Sequence, residues 1–137
     1  MKRSEWADIW IQRSAHDLDV AEALFNGSFW DTCALMCQQA AEKAVKGLYV
    51  DVNDAEPPKT HRLERMAAEL GAPIKVVDAA SVLVGDYSAS RYPPPGVGFP
   101  FQAYTKEDAT DRLEKARQVI SWVENHWEDS DGNEASS

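Results

Sequence analysis

The sequence has no long apolar run, few basic residues and only two cysteines, and each shortage excludes a class of protein. No uninterrupted apolar segment approaches the roughly 20 residues that a helix needs to cross a bilayer, so we expect a cytoplasmic protein with no membrane partner. Acidic residues outnumber basic ones by 23 to 14, which gives a formal net charge of −9. This balance argues against a broad surface that coats nucleic acid, but it allows a local basic pocket.

The cysteines and histidines do not form the pattern of a metal site. Cys33 and Cys37 lie four residues apart in a helical pattern, where a disulfide would be strained. A zinc site would need two further ligands, and only His16, His61 and His126 are available, at scattered positions. We therefore interpret both cysteines as small buried hydrophobic residues and predict no metal and no cofactor. A glycine-rich phosphate loop, an HExxH motif and a GxSxG motif are also absent.

Length and composition suit a single domain. A chain of 137 residues can bury one substantial core, and an apolar content of 44% is typical of globular proteins. Apolar residues recur at helical spacing along most of the chain, so we expect an all-α, up-down antiparallel bundle of four to five helices over residues 1–127. Residues 128–137, EDSDGNEASS, contain four acidic residues and a single alanine as their apolar residue, which predicts a disordered acidic tail.

One predicted helix, which starts within Ser28 to Asp31 and contains the stretch from Cys33 to Val50, organises the bundle. Its small side chains predict close packing against a neighbouring helix. The stripe that carries this prediction consists of Cys37, Ala40, Ala41, Ala44, Val45 and Leu48. On the opposite side we expect Glu42 and Lys46 to form a surface ion pair, beside Gln39 and Lys43. The helix is thus predicted to be buried on one side only.

Capping residues and helix breakers bound the other predicted helices. The first runs from Ser4 to Phe25, is stopped by Asn26 and Gly27, and has a core stripe of Ile11, Ala15, Leu18, Ala21 and Phe25. The third begins at an N-cap Thr60 and ends at Gly71, the fourth holds Val76 to Tyr87, and the last begins with a capping box at Thr105 to Asp108 and ends at Trp127. The core stripe of the last helix is Ala109, Leu113, Ala116, Ile120, Val123 and Trp127.

The segment between the fourth helix and the last one is rich in proline and aromatic residues. Arg91 to Tyr104 reads RYPPPGVGFPFQAY, which excludes a helix or a central strand. Its four aromatic residues predict that this segment folds back on the bundle.

Three motifs, taken in order, resemble the HEPN family. They are ALMCQQAAEKAVKGL at Ala34–Leu48, KTHRL at Lys59–Leu63 and RYP at Arg91–Pro93. The resemblance covers nearly the whole chain and implies an all-α bundle that is frequently a homodimer. It also implies a gene often encoded beside a minimal nucleotidyltransferase, as in toxin–antitoxin modules. On this basis we expect a protein that binds a nucleotide or RNA and partners a nucleotidyltransferase.

Some members of that family are metal-independent ribonucleases, and their arginine and histidine lie four to six residues apart at the start of the last long helix. Arg91 occupies the position of that arginine, but Tyr92, three prolines, a glycine and a valine follow it, and no histidine does. The histidine that could transfer a proton instead is His61, at the predicted start of the third helix, where a phosphate could also bind between Lys59 and Arg62. A structural role for His61 is the alternative.

The candidate residues therefore fall into two groups. The candidate catalytic residues are His61 and Arg91, and the candidate ligand-binding residues are Lys43, Lys46, Lys59, His61, Arg62, Arg91 and Tyr92. Trp6 and Trp10 are either core or dimer contacts, or a platform on which a base stacks. Three functions remain open: a nucleotide-binding or RNA-binding partner protein, a metal-independent endoribonuclease, and a structural homodimer without a ligand.

Overall fold

The computed structural model describes the backbone of residues 2–91 and 104–136, and the side chains of residues 2–85 and 104–127. It contains five helices: α1 (Glu5–Asn26), α2 (Trp30–Asn53), α3 (Leu63–Glu69), α4 (Ile74–Arg91) and α5 (Lys106–Ser136). The described residues include no strand, so the predicted all-α bundle is confirmed. Within these ranges no helix is both long and apolar enough to cross a membrane.

Helix α2 lies at the centre of the bundle. It contacts all four other helices, and none of its residues from Trp30 to Asp51 is exposed. The predicted apolar stripe is buried as expected. The prediction that this helix is buried on one side only is wrong, because neighbouring helices also cover the side that carries Gln38 and Glu42.

Helices α1 and α2 form an antiparallel hairpin whose axes come very close together. The Ser14 hydroxyl donates a hydrogen bond of 2.7 Å to the backbone carbonyl of Ala40 across this contact. A Cβ placed on Gly47 would lie 3.0 Å from the Cβ of Trp10 and 3.2 Å from the carbonyl oxygen of Ala7. The close packing predicted from the small residues of α2 is therefore present, and Gly47 leaves the space for it.

The core stripe of α1 differs from the prediction at one turn. Ile11 and Ala21 are buried, but Ala15 is exposed and Ser14 takes the inward position. The hydroxyl of Ser14 can be buried because its hydrogen bond to α2 satisfies it. The prediction chose Ala15 because hydrophobic periodicity counts apolar residues only. It cannot detect a serine whose hydroxyl is satisfied by a neighbouring helix.

The carboxylate of Asp51 links α1, α2 and α5 at one end of the bundle. Ser4 is the predicted N-cap of α1, and its hydroxyl accepts a hydrogen bond of 3.0 Å from the backbone NH of Ala7. Asp51 in turn accepts bonds from the Ser4 backbone NH at 3.1 Å and from the Ser4 hydroxyl at 2.5 Å. It also accepts one of 3.0 Å from the indole NH of Trp127.

The predicted start of the third helix is wrong. Helix α3 begins at Leu63 with Arg62 as its N-cap, and Thr60 instead accepts a hydrogen bond of 3.1 Å from the Arg62 backbone NH. Thr60 therefore closes a local turn before the helix. A threonine hydroxyl can accept a hydrogen bond from an NH group two residues ahead either in such a turn or as a helix N-cap, so the sequence does not distinguish the two roles. The predicted stop at Gly71 is confirmed, since this residue has a φ of +88°.

Helix α5 begins as predicted and ends later than predicted. Thr105 and Asp108 form a reciprocal capping box, with hydrogen bonds of 3.0 and 3.1 Å, and the predicted core stripe is buried throughout. The end at Trp127 is wrong, because the helix continues to Ser136. A helix can extend beyond its last core residue when no proline interrupts its hydrogen bonds. The prediction of a disordered acidic tail over residues 128–137 stays a prediction.

Both cysteine side chains are buried in the core, as predicted. A hydrogen bond with Cys37 lowers the pKa of Cys33, burial raises it, and the positive charge of Arg117 lowers it further. Residues 92–103, most of the proline-rich segment, lie outside the described residues, so the prediction that this segment folds back on the bundle also stays open.

We expect Gly47→Ala to lower the free energy of unfolding by about 1 to 2 kcal/mol, because the overpacking cost exceeds the gain in helix propensity. The matched control is Gly85→Ala in α4, where an added Cβ has no described atom within 4 Å outside the backbone of its own helix. It should raise stability by up to about 1 kcal/mol. Urea denaturation measures both free energies of unfolding, at a protein concentration where the two variants have the same association state. Equal stabilisation by both substitutions would contradict the close approach of α1 and α2.

Candidate functional site

A buried carboxylate lies at the centre of a polar cluster that joins α2 to the segment before α3. We call Gln38, Glu42, Lys46 and His61 the Glu42 cluster. The Oε1 atom of Glu42 lies 3.2 Å from the Gln38 amide nitrogen and 3.0 Å from Nδ1 of His61, and its Oε2 atom lies 3.6 Å from Nζ of Lys46. Glu42 is only 4% exposed and Gln38 is fully buried. A carboxylate so buried is stable as an anion only when such partners surround it.

The ion pair of Glu42 with Lys46 was predicted with the right partners and the wrong location. The Lys46 side chain is 12% exposed, so this is a largely buried pair. Its Nζ atom lies 5.8 Å from the centre of the Trp10 ring, which places the cation over an aromatic face. Trp10 from α1 and His61 from the segment before α3 cover this side of α2. Helical periodicity cannot detect cover by residues elsewhere in the chain, so it assigned this side to solvent.

His61 does not lie in the first turn of a helix, as was predicted, but two residues before α3 begins. The ring contacts Glu42 through Nδ1 and is 53% exposed. Because a carboxylate accepts hydrogen bonds, this contact favours the tautomer that carries its hydrogen on Nδ1. The partly exposed ring is therefore compatible with proton exchange with a ligand as well as with a structural role.

The other predicted ligand-binding residues do not all join this cluster. Lys43 forms a salt bridge with Asp17 of α1, so its amine is directed toward α1. Lys59 and Arg62 are exposed on either side of His61 in the chain, and Arg62 has Glu64 at 3.9 Å. The side chains of Arg91 and Tyr92 lie outside the described residues. Their assignment as ligand-binding residues therefore stays a prediction.

Sequence reasoning missed Gln38 and the burial of Glu42. The signal was present as a polar row at four-residue spacing, Gln38, Glu42 and Lys46, beside the alanine stripe. Such a row in a helix with four neighbours must be satisfied internally. His16 and His126 are exposed. Across the described residues no group of three or more His, Cys, Asp or Glu side chains could hold a metal ion.

We expect Glu42→Ala to lower the free energy of unfolding by about 2 to 3 kcal/mol, because it leaves Gln38 and Lys46 without their buried partner. The matched control is Glu69→Ala, which breaks another i,i+4 ion pair, with Arg65 at 3.8 Å, whose side chains are 67% and 62% exposed. That control should cost less than about 0.5 kcal/mol. Urea denaturation of both variants makes the measurement. If Glu42→Ala lowers the free energy of unfolding as little as Glu69→Ala does, the buried contacts of Glu42 do not stabilise the fold.

Comparison with known proteins agrees with this fold. The family model for the HEPN domain matches residues 7–126. The crystal structure of ST0689, an archaeal HEPN homologue, superposes with a TM-score of 0.76 at 30% identity, over 93% of this chain and 99% of that one. TT1696 from Thermus thermophilus gives a TM-score of 0.79 at 28% identity, over 91% and 98% of the two chains. No curated protein matches. The chain is thus a member of the HEPN family.

Proposed function

We propose that this HEPN protein binds a nucleotide or RNA through phosphate contacts and partners a minimal nucleotidyltransferase in a toxin–antitoxin-type module. The observation that carries the binding proposal is the Glu42 cluster, in which one buried carboxylate holds Lys46 and His61 in fixed positions. A gene for a small nucleotidyltransferase beside the gene for this chain would support the partnership.

The physical basis of the binding proposal is preorganisation. A phosphate is recognised best by donors that lose little freedom when they bind it. The Lys46 ammonium is restrained by Glu42 and by the Trp10 ring, and Glu42 also restrains the His61 imidazole. Lys59 and Arg62, exposed beside His61, can add charge-assisted contacts from the same segment. This local concentration of donors makes phosphate binding compatible with an acidic chain.

A second function, metal-independent endoribonuclease activity, is favoured by the contact between Glu42 and His61. A carboxylate that fixes the imidazole through Nδ1 is the usual way to prepare Nε2 for general acid or base catalysis. In this mechanism His61 would exchange a proton with the 2′-hydroxyl or with the leaving oxygen. Arg91 would neutralise the scissile phosphate.

Variants at the proposed phosphate contacts separate a binder from an enzyme. In a binder, Lys59→Ala and Arg91→Ala should each weaken the binding of single-stranded RNA by roughly 1 to 3 kcal/mol, and added salt should weaken it further. His61→Ala should change affinity only modestly. Lys75→Ala, which removes an exposed lysine from α4, is the matched control and should change little. Titration in the presence of a chelator measures the affinities.

The same samples test for cleavage. A binder should leave the RNA intact in chelator. Chelator-resistant cleavage that is lost in both Arg91→Ala and His61→Ala, with a drop of roughly 10²-fold or more, would establish the enzyme instead. If neither nucleotide nor RNA binds, the remaining alternative is a structural protein without a ligand.

Homodimerisation is a further part of the proposal. The alanine face of α2 is buried inside the bundle, so it is not available to a second copy of the chain. The exposed apolar side chains include Ile9 on α1 at 52% and Ile74 on α4 at 75%. Surfaces of this kind are candidates for contact with a second copy.

We expect a two-chain species in sedimentation at micromolar concentration. Burying a glutamate in the interface is unfavourable, so Ile9→Glu and Ile74→Glu identify the face that is used: only the variant at the interface should shift the protein to a monomer. The other variant serves as its control. A monomer at every accessible concentration in the unmodified protein would contradict dimerisation.

A further inference from the structure

A second polar surface lies on the outer side of α1, where it borders α2. A shallow groove of about 390 Å³ is lined there by Ile9, Gln12, Arg13, His16, Asp17 and Lys43. This volume falls in the range of small-ligand sites. The salt bridge between Lys43 and Asp17 neutralises the carboxylate of the groove, so Arg13 and His16 decide which ligand it favours.

Arg13 differs from the other arginines whose side chains the structure describes. Each of those, Arg3, Arg62, Arg65, Arg112 and Arg117, has a carboxylate oxygen at 2.5 to 3.9 Å. Arg13 is exposed and forms no ion pair with any described residue, and His16 is also exposed and has no described hydrogen-bond partner. In a chain with 23 acidic and 14 basic residues, an arginine left without a carboxylate is available for an anion from outside.

Four residues on this side of α1 form a row along the helix. Trp6, Ile9, Arg13 and His16 are spaced by three or four residues, so successive members lie on adjacent turns of one face, and we call them the α1 row. Trp6 is 41% exposed and Ile9 is 52% exposed. The row thus presents an aromatic ring at one end, an apolar side chain next to it and two nitrogen donors at the other end. About 10 Å of helix axis separates Trp6 from Arg13.

We infer that the α1 row is a nucleotide-binding site, in which a base stacks on Trp6 and a phosphate group contacts Arg13 and His16. An aromatic ring, an apolar neighbour and an arginine within the length of a nucleotide match the two chemical halves of that ligand. The inference rests on the proposed function only for the class of ligand. The site itself is separate from the Glu42 cluster and requires neither His61 nor Arg91.

Titration calorimetry with ATP in the presence of a chelator tests the site. Arg13→Gln removes the phosphate contact and should weaken ATP binding about tenfold. Trp6→Leu removes the stacking surface and should weaken it to a similar degree. Lys75→Gln is the control for loss of one exposed positive charge. It lies on α4, which does not contact α1 within the described parts of the chain, and should leave affinity unchanged.

A second ligand separates the two roles. Adenosine has the base but no phosphate, so Trp6→Leu should weaken its binding while Arg13→Gln should not. The melting temperature of each variant shows that the bundle is intact, since both side chains lie on the outer side of α1.

Three results would overturn the site. If Arg13→Gln and Trp6→Leu bind ATP normally while Lys59→Ala loses affinity, the nucleotide binds at the Glu42 cluster, and the proposed function survives without this inference. If Arg13→Gln leaves ATP binding unchanged but shifts the sedimentation coefficient, the α1 row is a contact between two copies of the chain. If the unmodified protein binds neither ATP nor RNA, the proposed function fails together with the site.

Discussion

The enclosure of α2 is the constraint on which the rest of the structure depends. A helix that contacts four others exposes little of its polar side chains to water, so the buried polar groups must find partners inside the bundle. Glu42 finds three, and Lys43 finds Asp17 on α1. The contacts that satisfy the buried polar groups of α2 are therefore also those that join α2 to α1 and to the segment before α3. Packing and polar satisfaction cannot be separated in this protein.

This constraint accounts for the places where sequence reasoning succeeded. Helix α5 has neighbours on one side, so its stripe from Ala109 to Trp127 repeats at helical spacing, and its capping box uses two residues three apart. Both signals are local in the sequence. The alanine stripe of α2 was likewise readable, because small apolar residues at regular helical spacing indicate a closely packed helix face.

The errors arose where the deciding partner is distant in the chain. Ser14 is buried because it reaches a carbonyl of α2, and part of the cover over Glu42 comes from His61, 19 residues along the chain. Neither partnership leaves a mark in helical periodicity. For the candidate site, the sequence identified His61 and Lys46 as individual residues but could not show that one carboxylate connects them. The lack of an ion pair at Arg13 could not be read either, since it depends on where every other described carboxylate lies.

The hydrogen bonds of Asp51 have a consequence for the way other proteins could be attached to this one. Because Ser4 and Trp127 bond to the same carboxylate, the beginning of α1 and the last core residue of α5 meet at one pole of the bundle. A circular permutant that joins these two points by a short linker would span little distance. New termini could then open in the connection between α2 and α3, where residues 54–56 are exposed, and the arrangement of the core would be kept.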